Sequence, residues 1–187
     1  TNCTVTNTTI TGPAAVGALV GVINETMGER KVENCRVTDC TIAQNGSFGG
    51  NYDEMFGAAV GLINIENSTV HFNECTVENT TVKGNASTTL YGVCESSTTV
   101  LINGSKVVTT LEQLNAALTN DNTVIIGADI EDATIKLPAT LNNFTLRAAE
   151  GVVLKNTTIS AADGNAYHYE NLTFDGITFN NSRIGLT

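Results

Sequence analysis

The chain has 187 residues, 41% of them hydrophobic, with 17 glycines, 2 prolines, no tryptophan and a formal net charge of −10. That apolar content supports a substantial core and excludes global disorder. The charge argues against a nucleic-acid partner, which needs clustered Lys and Arg, and against a polybasic membrane-surface role; an acidic surface attracts cations instead, calcium among them.

Val, Ile, Leu, Thr, Asn and Gly dominate the composition. β-branched residues favour pleated strands, and Asn and Gly tolerate the left-handed backbone of tight corners. Many short strands joined by many turns are therefore expected. No apolar run approaches the roughly 20 residues that span a bilayer, so no direct membrane insertion is expected. Thr1 already lies inside a repeat, and Ile184-Gly185-Leu186-Thr187 forms no recognisable closing element. The expectation is a segment of a longer protein whose targeting and anchoring segments lie elsewhere.

The repeat begins at once. Asn2-Cys3-Thr4-Val5-Thr6-Asn7-Thr8-Thr9-Ile10 aligns without gaps with Asn34-Cys35-Arg36-Val37-Thr38-Asp39-Cys40-Thr41-Ile42 and with Glu74-Cys75-Thr76-Val77-Glu78-Asn79-Thr80-Thr81-Val82. Each copy reads apolar-x-apolar, two polar residues, then small-x-apolar. Alternation at period two points the first pair inward from one strand, the polar residues turn a corner, and the second pair points inward from the next. Val16-Gly17-Ala18-Leu19-Val20-Gly21-Val22-Ile23-Asn24 matches Phe56-Gly57-Ala58-Ala59-Val60-Gly61-Leu62-Ile63-Asn64, with a weaker relative at Tyr91-Gly92-Val93-Cys94-Glu95. The longer second repeat step is absorbed by Gln44–Asp53, a Gly/Asn-rich stretch expected as an exposed loop.

Further along, Leu111, Leu114 and Leu118 stand at helical offsets, predicting a short amphipathic helix near 109–118. Thr109 with Glu112, or Thr110 with Gln113, supplies a capping box. Thr123–Ile126, Ala133–Leu137 and Asn143–Leu146 read as strands. Val152–Ile159 and Leu172–Phe179 carry the repeat spacing 20 residues apart, the length of one coil of a compact β-helix. No single copy buries its apolar face alone, and each buried Val, Leu, Ile or Phe is worth roughly 1.5–3 kcal/mol. The copies must therefore stack. The fold class expected is all-β, a parallel β-helix (solenoid) with one short amphipathic helix, divided into 1–97 and 98–187. The two halves either join into one solenoid or stand as separate blocks.

The Asn-Cys-x-Val motif followed by Gly-Ala-Leu-Val-Gly resembles the GLUG-type repeats of large secreted bacterial surface proteins; residues 1–95 carry this, most specifically Gly17, Gly21, Gly57 and Gly61. Residues 98–187, through the Leu111–Leu118 helix and the Asn171–Phe179 segment, are similar to the start of pectin-lyase-like right-handed β-helices of gut-bacterial surface proteins. The resemblance implies a right-handed solenoid and an extracellular or cell-surface location in bacteria. It also implies adhesive partners such as host or environmental glycans or proteins, and it fixes no activity.

Candidate chemistry is sparse. Cys3, Cys35 and Cys75 share one repeat position and Cys40 matches Thr8 and Thr80, which predicts a ladder of buried free thiols. No CxxC zinc spacing occurs. Asp129, Glu131 and Asp132 cluster and Asp175 sits in a corner, where carboxylates about 5–10 Å apart across a groove would suit glycosidase chemistry. Arg183 is a candidate partner of Asp175, although Asp175-Gly176 also reads as a simple turn. His71 and His168 have no nucleophile motif beside them. Tyr91, Tyr167, His168 and Tyr169 are candidates for a sugar-stacking surface. About a dozen Asn-x-Ser/Thr tripeptides, Asn7, Asn24, Asn79 and Asn156 among them, follow from Asn/Thr-rich corners rather than from glycosylation. These readings favour a non-catalytic surface module, adhesive or spacer, with no catalytic, cofactor or metal residue assigned. Its binding surface would be a lateral face or the Gln44–Asp53 loop. The alternative is a carbohydrate-active β-helix enzyme, a lyase or glycoside hydrolase, whose site lies partly outside this segment.

Overall fold

The computed structural model describes residues 1–24, 29–161, 163 and 167–186. Thr187, part of the terminal stretch discussed above, lies outside them. The fold is mostly β, in sheets whose strands pair almost entirely in parallel, with one α-helix among the described residues. The chain divides into two compact units, Thr1–Gly104 and Ser105–Thr187. This boundary lies beyond residue 97 because Thr99–Ile102 pairs in parallel with Thr69–Asn73 of the first unit.

In the first unit the three aligned copies stack in register. Val5 pairs with Val37 and Val37 with Val77; past the corner, Ile10 and Val82 both pair with Ile42. The glycine-rich strands stack likewise, Val20–Ile23 on Val60–Ile63 on Tyr91–Cys94. Their glycines have a steric cause. A Cβ on Gly57 would stand 2.1 Å from the Val60 carbonyl oxygen and 2.3 Å from the Gly92 nitrogen, and one on Gly61 would stand 2.6 Å from the Val16 nitrogen. Backbone here packs directly on backbone, which only glycine permits.

In the second unit, Ser105–Val108, Thr123–Ile126, Thr140–Ala148 and His168–Asp175 pair successively in parallel. Ile130–Glu131, Val153–Lys155 and Thr178–Asn180 form one further sheet, and Thr134–Lys136, Thr158–Ser160 and Arg183–Gly185 another. The core runs between them through Ile126, Ile135, Leu141, Phe144, Leu146, Leu154 and Ile159, all fully buried. The helix is Leu111–Ala117; of the two expected caps, Thr110 is the one formed, its hydroxyl accepting from the Gln113 N–H at 3.2 Å while the Gln113 side chain accepts from the Thr109 N–H at 2.8 Å. Leu114 and Ala117 bury the inner face of the helix against that core.

The 20-residue step expected near the C-terminus is corrected by the register. Leu154 pairs with Phe179 and Ile159 with Ile184, whereas Leu172 and Phe174 pair with Phe144 and Leu146 in a different sheet. The true equivalents share a six-residue corner, apolar-x-Asn/Asp-small-x-Ile/Val. It recurs at Val5–Ile10, Val37–Ile42, Val77–Val82, Ile130–Ile135, Leu154–Ile159 and Phe179–Ile184. Its third residue takes left-handed backbone, with φ between 47° and 54° at Asn7, Asp39, Asn79, Asp132, Asn156 and Asn181. Asn and Asp tolerate this conformation best among residues with a Cβ. The small fourth residue, buried at Cys40, Thr80 and Thr157 but exposed at Thr8 of the outer copy, donates to the carbonyl two residues back, as Thr8, Cys40, Thr80, Thr157 and Ser182 do at 2.8–3.2 Å. One left-handed residue thus turns the chain, and the polar atom it buries is satisfied locally.

Candidate functional site

Most candidates from the sequence belong to this scaffold. Asp132 is a corner residue; its Oδ1 accepts from Asn156 Nδ2 at 3.0 Å, and Asn156 Oδ1 accepts from Asn181 Nδ2 at 2.7 Å. A parallel ladder joins Asp121, Asn143 and Asn171 at 2.8 and 2.7 Å. Asp129 and Glu131 converge on Lys155, whose Nζ lies 2.8 Å and 2.7 Å from their oxygens, and Asp129 also accepts from the Val153 N–H at 2.7 Å. The Lys155 contact, then the Val153 N–H, hold the Asp129 carboxyl below its usual range; Asp129, then Glu131, push Lys155 up. An ammonium group already stands where a bound cation would sit. Among the described residues no three His, Cys, Asp or Glu side chains converge on one point.

Asp175 pairs with Arg147, not Arg183, at 2.7 Å, because the two are register partners on adjacent strands. Arg183 is the fifth residue of a corner and is exposed on an outer strand. Tyr167 and Tyr169 stack on each other, centroids 5.5 Å apart, and exposed His168 lies 4.0 Å from Glu170. Tyr91 stacks on Phe72 at 5.9 Å, and burial drives its phenol pKa up. His71 contacts Glu29 at 2.7 Å. All five cysteines are free thiols. The ladder expectation is corrected at Cys3, which is exposed because its strand, Thr4–Thr6, is the outer member of its sheet; Cys35 and Cys40 are buried, Cys75 and Cys94 half-buried.

Concave features lie in the first unit: one of about 480 Å³ is lined by Glu29, Asn67, Ser68, Thr69, His71 and Leu101, and another lies beside the expected loop. Gly49, Gly50, Tyr52, Met55, Leu62 and Val93 line a cavity of about 590 Å³ together with the polar Asn51, Asn64 and Glu95. Register builds the floor: Val22, Leu62 and Val93 are stacked partners and form an aliphatic stripe, with Val22 40% exposed at its end. The wall is the loop, which starts after Gln44, a strand residue paired with Gly12 rather than part of the loop as expected; it is exposed from Asn45 to Tyr52 and contains a 3₁₀ helix, Gly50–Glu54, not anticipated from the sequence. Tyr52 is 57% exposed.

Asp53 organises this wall. Its carboxylate accepts from the Ser47 hydroxyl at 2.6 Å and the Gln44 amide at 2.9 Å, while Lys83 donates to its carbonyl at 2.6 Å. The Ser47 bond leads in lowering the Asp53 pKa, aided by Gln44, the Phe48 N–H and Lys83 against a smaller desolvation. Lys83 also stands 5.4 Å over the Phe56 ring. Glu95 is similarly committed: it accepts from the Ser97 N–H at 2.7 Å, from the Ser97 hydroxyl and from the Ser96 hydroxyl at 3.0 Å, which lowers its pKa. The sequence pointed to this loop but not to Tyr52, Leu62 or Val93. The signal available was the Val-Gly-x-Ile echo at Val20–Ile23 and Val60–Ile63, with its weaker relative Tyr91–Cys94, whose third position faces outward.

Comparison of the chain with protein-family models, with curated proteins and with solved structures finds no match.

Proposed function

We propose that the chain is a non-catalytic, extracellular module of a bacterial cell-surface protein, adhesive in role. In this reading each unit is built from coils of a right-handed parallel β-helix, GLUG-like in the first and pectin-lyase-like in the second. The stacked strands act as a support, and the cavity beside Gln44–Asp53 is the contact surface for host or environmental partners. The observation that carries the reading is the fate of the charges. Arg36 pairs with Glu78, Arg147 with Asp175, and Lys155 with Asp129 and Glu131, each across stacked copies. The carboxylates singled out for acid–base work are thereby committed to the ladder, while Phe48 and Tyr52 stand exposed on the loop.

Two measurements test it. Beads coated with the purified protein should adhere to mucin or epithelial layers above albumin-coated beads. Incubation with a polysaccharide panel should release neither new reducing ends nor unsaturated uronate products. Sustained product release would replace the module with the carbohydrate-active enzyme.

A further inference from the structure

We infer that the cavity beside the Gln44–Asp53 loop binds a short neutral oligosaccharide, with Tyr52 as its stacking platform. This inference rests on the surface-module reading and names the ligand class of the same site. The size fits first: about 590 Å³ lies within the range of small-molecule sites, roughly 300–1,000 Å³.

The chemistry of the lining then selects among occupants. Tyr52 is exposed, and among the described residues no second ring stacks on it. A tyrosine ring presents an apolar face with a hydroxyl at its tip, complementary to the C–H face of a pyranose ring with hydroxyls at its edge. Leu62 and Val93 continue that apolar surface along the floor. The polar groups left available are amides. Asn51 makes no side-chain hydrogen bond among the described residues, and the Asn64 amide spends only one N–H, on Asn24 Oδ1 at 3.3 Å. A primary amide both donates and accepts, as a sugar hydroxyl does.

Charge excludes acidic ligands. The lining holds no Lys, Arg or His, and its one carboxylate, Glu95, is engaged by Ser96 and Ser97. A sialylated or uronate chain would meet no counter-charge and one repulsive group. An extended peptide is disfavoured for a separate reason. Val60–Ile63, which carries the floor, is hydrogen-bonded on both sides by Val20–Ile23 and Tyr91–Cys94. An added strand could pair only with the outer members of that sheet, Val20–Ile23 or Tyr91–Cys94, and not over the Val60–Ile63 floor.

The test is an array of neutral hexose and N-acetylhexosamine oligosaccharides alongside sialylated and uronate ones. It is probed with the full chain, and hits are quantified by calorimetry. Neutral glycans should bind and acidic ones should not. Tyr52→Ala should weaken binding by roughly tenfold or more, as loss of a central aromatic contact does, while Tyr52→Phe stays within about threefold and Asn64→Ala falls between them. Circular dichroism should be unchanged in all three, since Tyr52 and Asn64 are both exposed. Preference for acidic glycans, or neutral binding unmoved by Tyr52→Ala, overturns the inference. Beads that adhere to protein-bearing surfaces while no glycan binds overturn it too, and leave the surface-module reading standing. Failure of both adhesion and glycan binding sinks the two together.

Discussion

Replacing Gly57 by Ala tests the backbone-on-backbone packing of the first unit. The new Cβ would stand 2.1 Å from the Val60 carbonyl oxygen, 2.3 Å from the Gly92 nitrogen and 2.5 Å from the Tyr91 carbonyl carbon. None of these atoms ends a side chain that can rotate away, so stacked strands must separate by more than an ångström. Overpacking in a well-ordered core typically costs about 1–3 kcal/mol and sometimes more. Three backbone contacts at these distances put Gly57→Ala at about 3 kcal/mol or above. The unfolded-state benefit of Gly→Ala, about 0.4–1 kcal/mol, offsets only part. For a chain of this size about 3 kcal/mol corresponds to a melting temperature lower by roughly 6–12 °C. Gly185→Ala is the control: its Cβ would meet nothing within 4 Å and its backbone is not left-handed, so its melting temperature should stay level or rise slightly. Thermal unfolding followed by circular dichroism reads both. A Gly57→Ala melting temperature within about 2 °C of the parent would refute the packing argument, because no side-chain adjustment could absorb that overlap.

Asn156 adopts left-handed backbone and bonds both neighbours in its ladder. Asn156→Val should cost about 2–6 kcal/mol, from strain of about 1–3 kcal/mol plus two lost hydrogen bonds of about 0.5–1.5 kcal/mol each. Asn156→Gly, which keeps the conformation, should cost clearly less, and equal urea midpoints for the two would remove the strain contribution. Asp53 has a folded-state pKa below its unfolded one, so its contribution to loop order is present above the unfolded value of about 3.9 and is lost as pH falls through the folded pKa. Hydrogen exchange of residues 45–54 should accelerate, relative to the sheets, as the pH drops below about 4; Asp53→Asn should abolish that pH dependence, and an unchanged profile would remove Asp53 as the organiser. Thiol reagent at pH 8 should modify exposed Cys3 first. Cys75, raised chiefly by burial, and Cys94, pushed up to about 11 by burial and then Glu95, should follow slowly, and buried Cys35 and Cys40 should react only on unfolding. Equal rates at all five would contradict the burial pattern.

The repeats were legible because inward residues and corner residues are both constrained. Val5, Val37 and Val77 align in sequence and are register partners in space. In the C-terminal half the apolar spacing misled, since Leu172 and Phe174 satisfy it as well as Phe179 and Ile184 do while lying in another sheet. The discriminating residue was Asn181, whose left-handed backbone marks the corner. Apolar periodicity records which face is buried, and the asparagine records where the chain turns. Charge partners were the least legible. Lys155 answers Asp129 and Glu131, and Arg147 answers Asp175, only after strands distant in sequence are brought alongside. The cavity was half legible: an insertion between matched strands announced the loop, but its floor exists only where Leu62 and Val93 become neighbours.

The loop from Gln44 to Asp53 lengthens one repeat, yet Ile42 still pairs with Ile10 before it and Phe56 still bridges to Val16 after it. Whatever happens inside the insertion leaves the load on either side unchanged. On the proposed function, recognition and support would thus be separable parts of the first unit. A library randomised at Phe48, Asn51 and Tyr52, with Gly49 and Gly50 kept for their φ of 76° and 63°, should keep the parent's stability while any ligand changes, which makes this position a natural place for both evolution and engineering to exchange specificities.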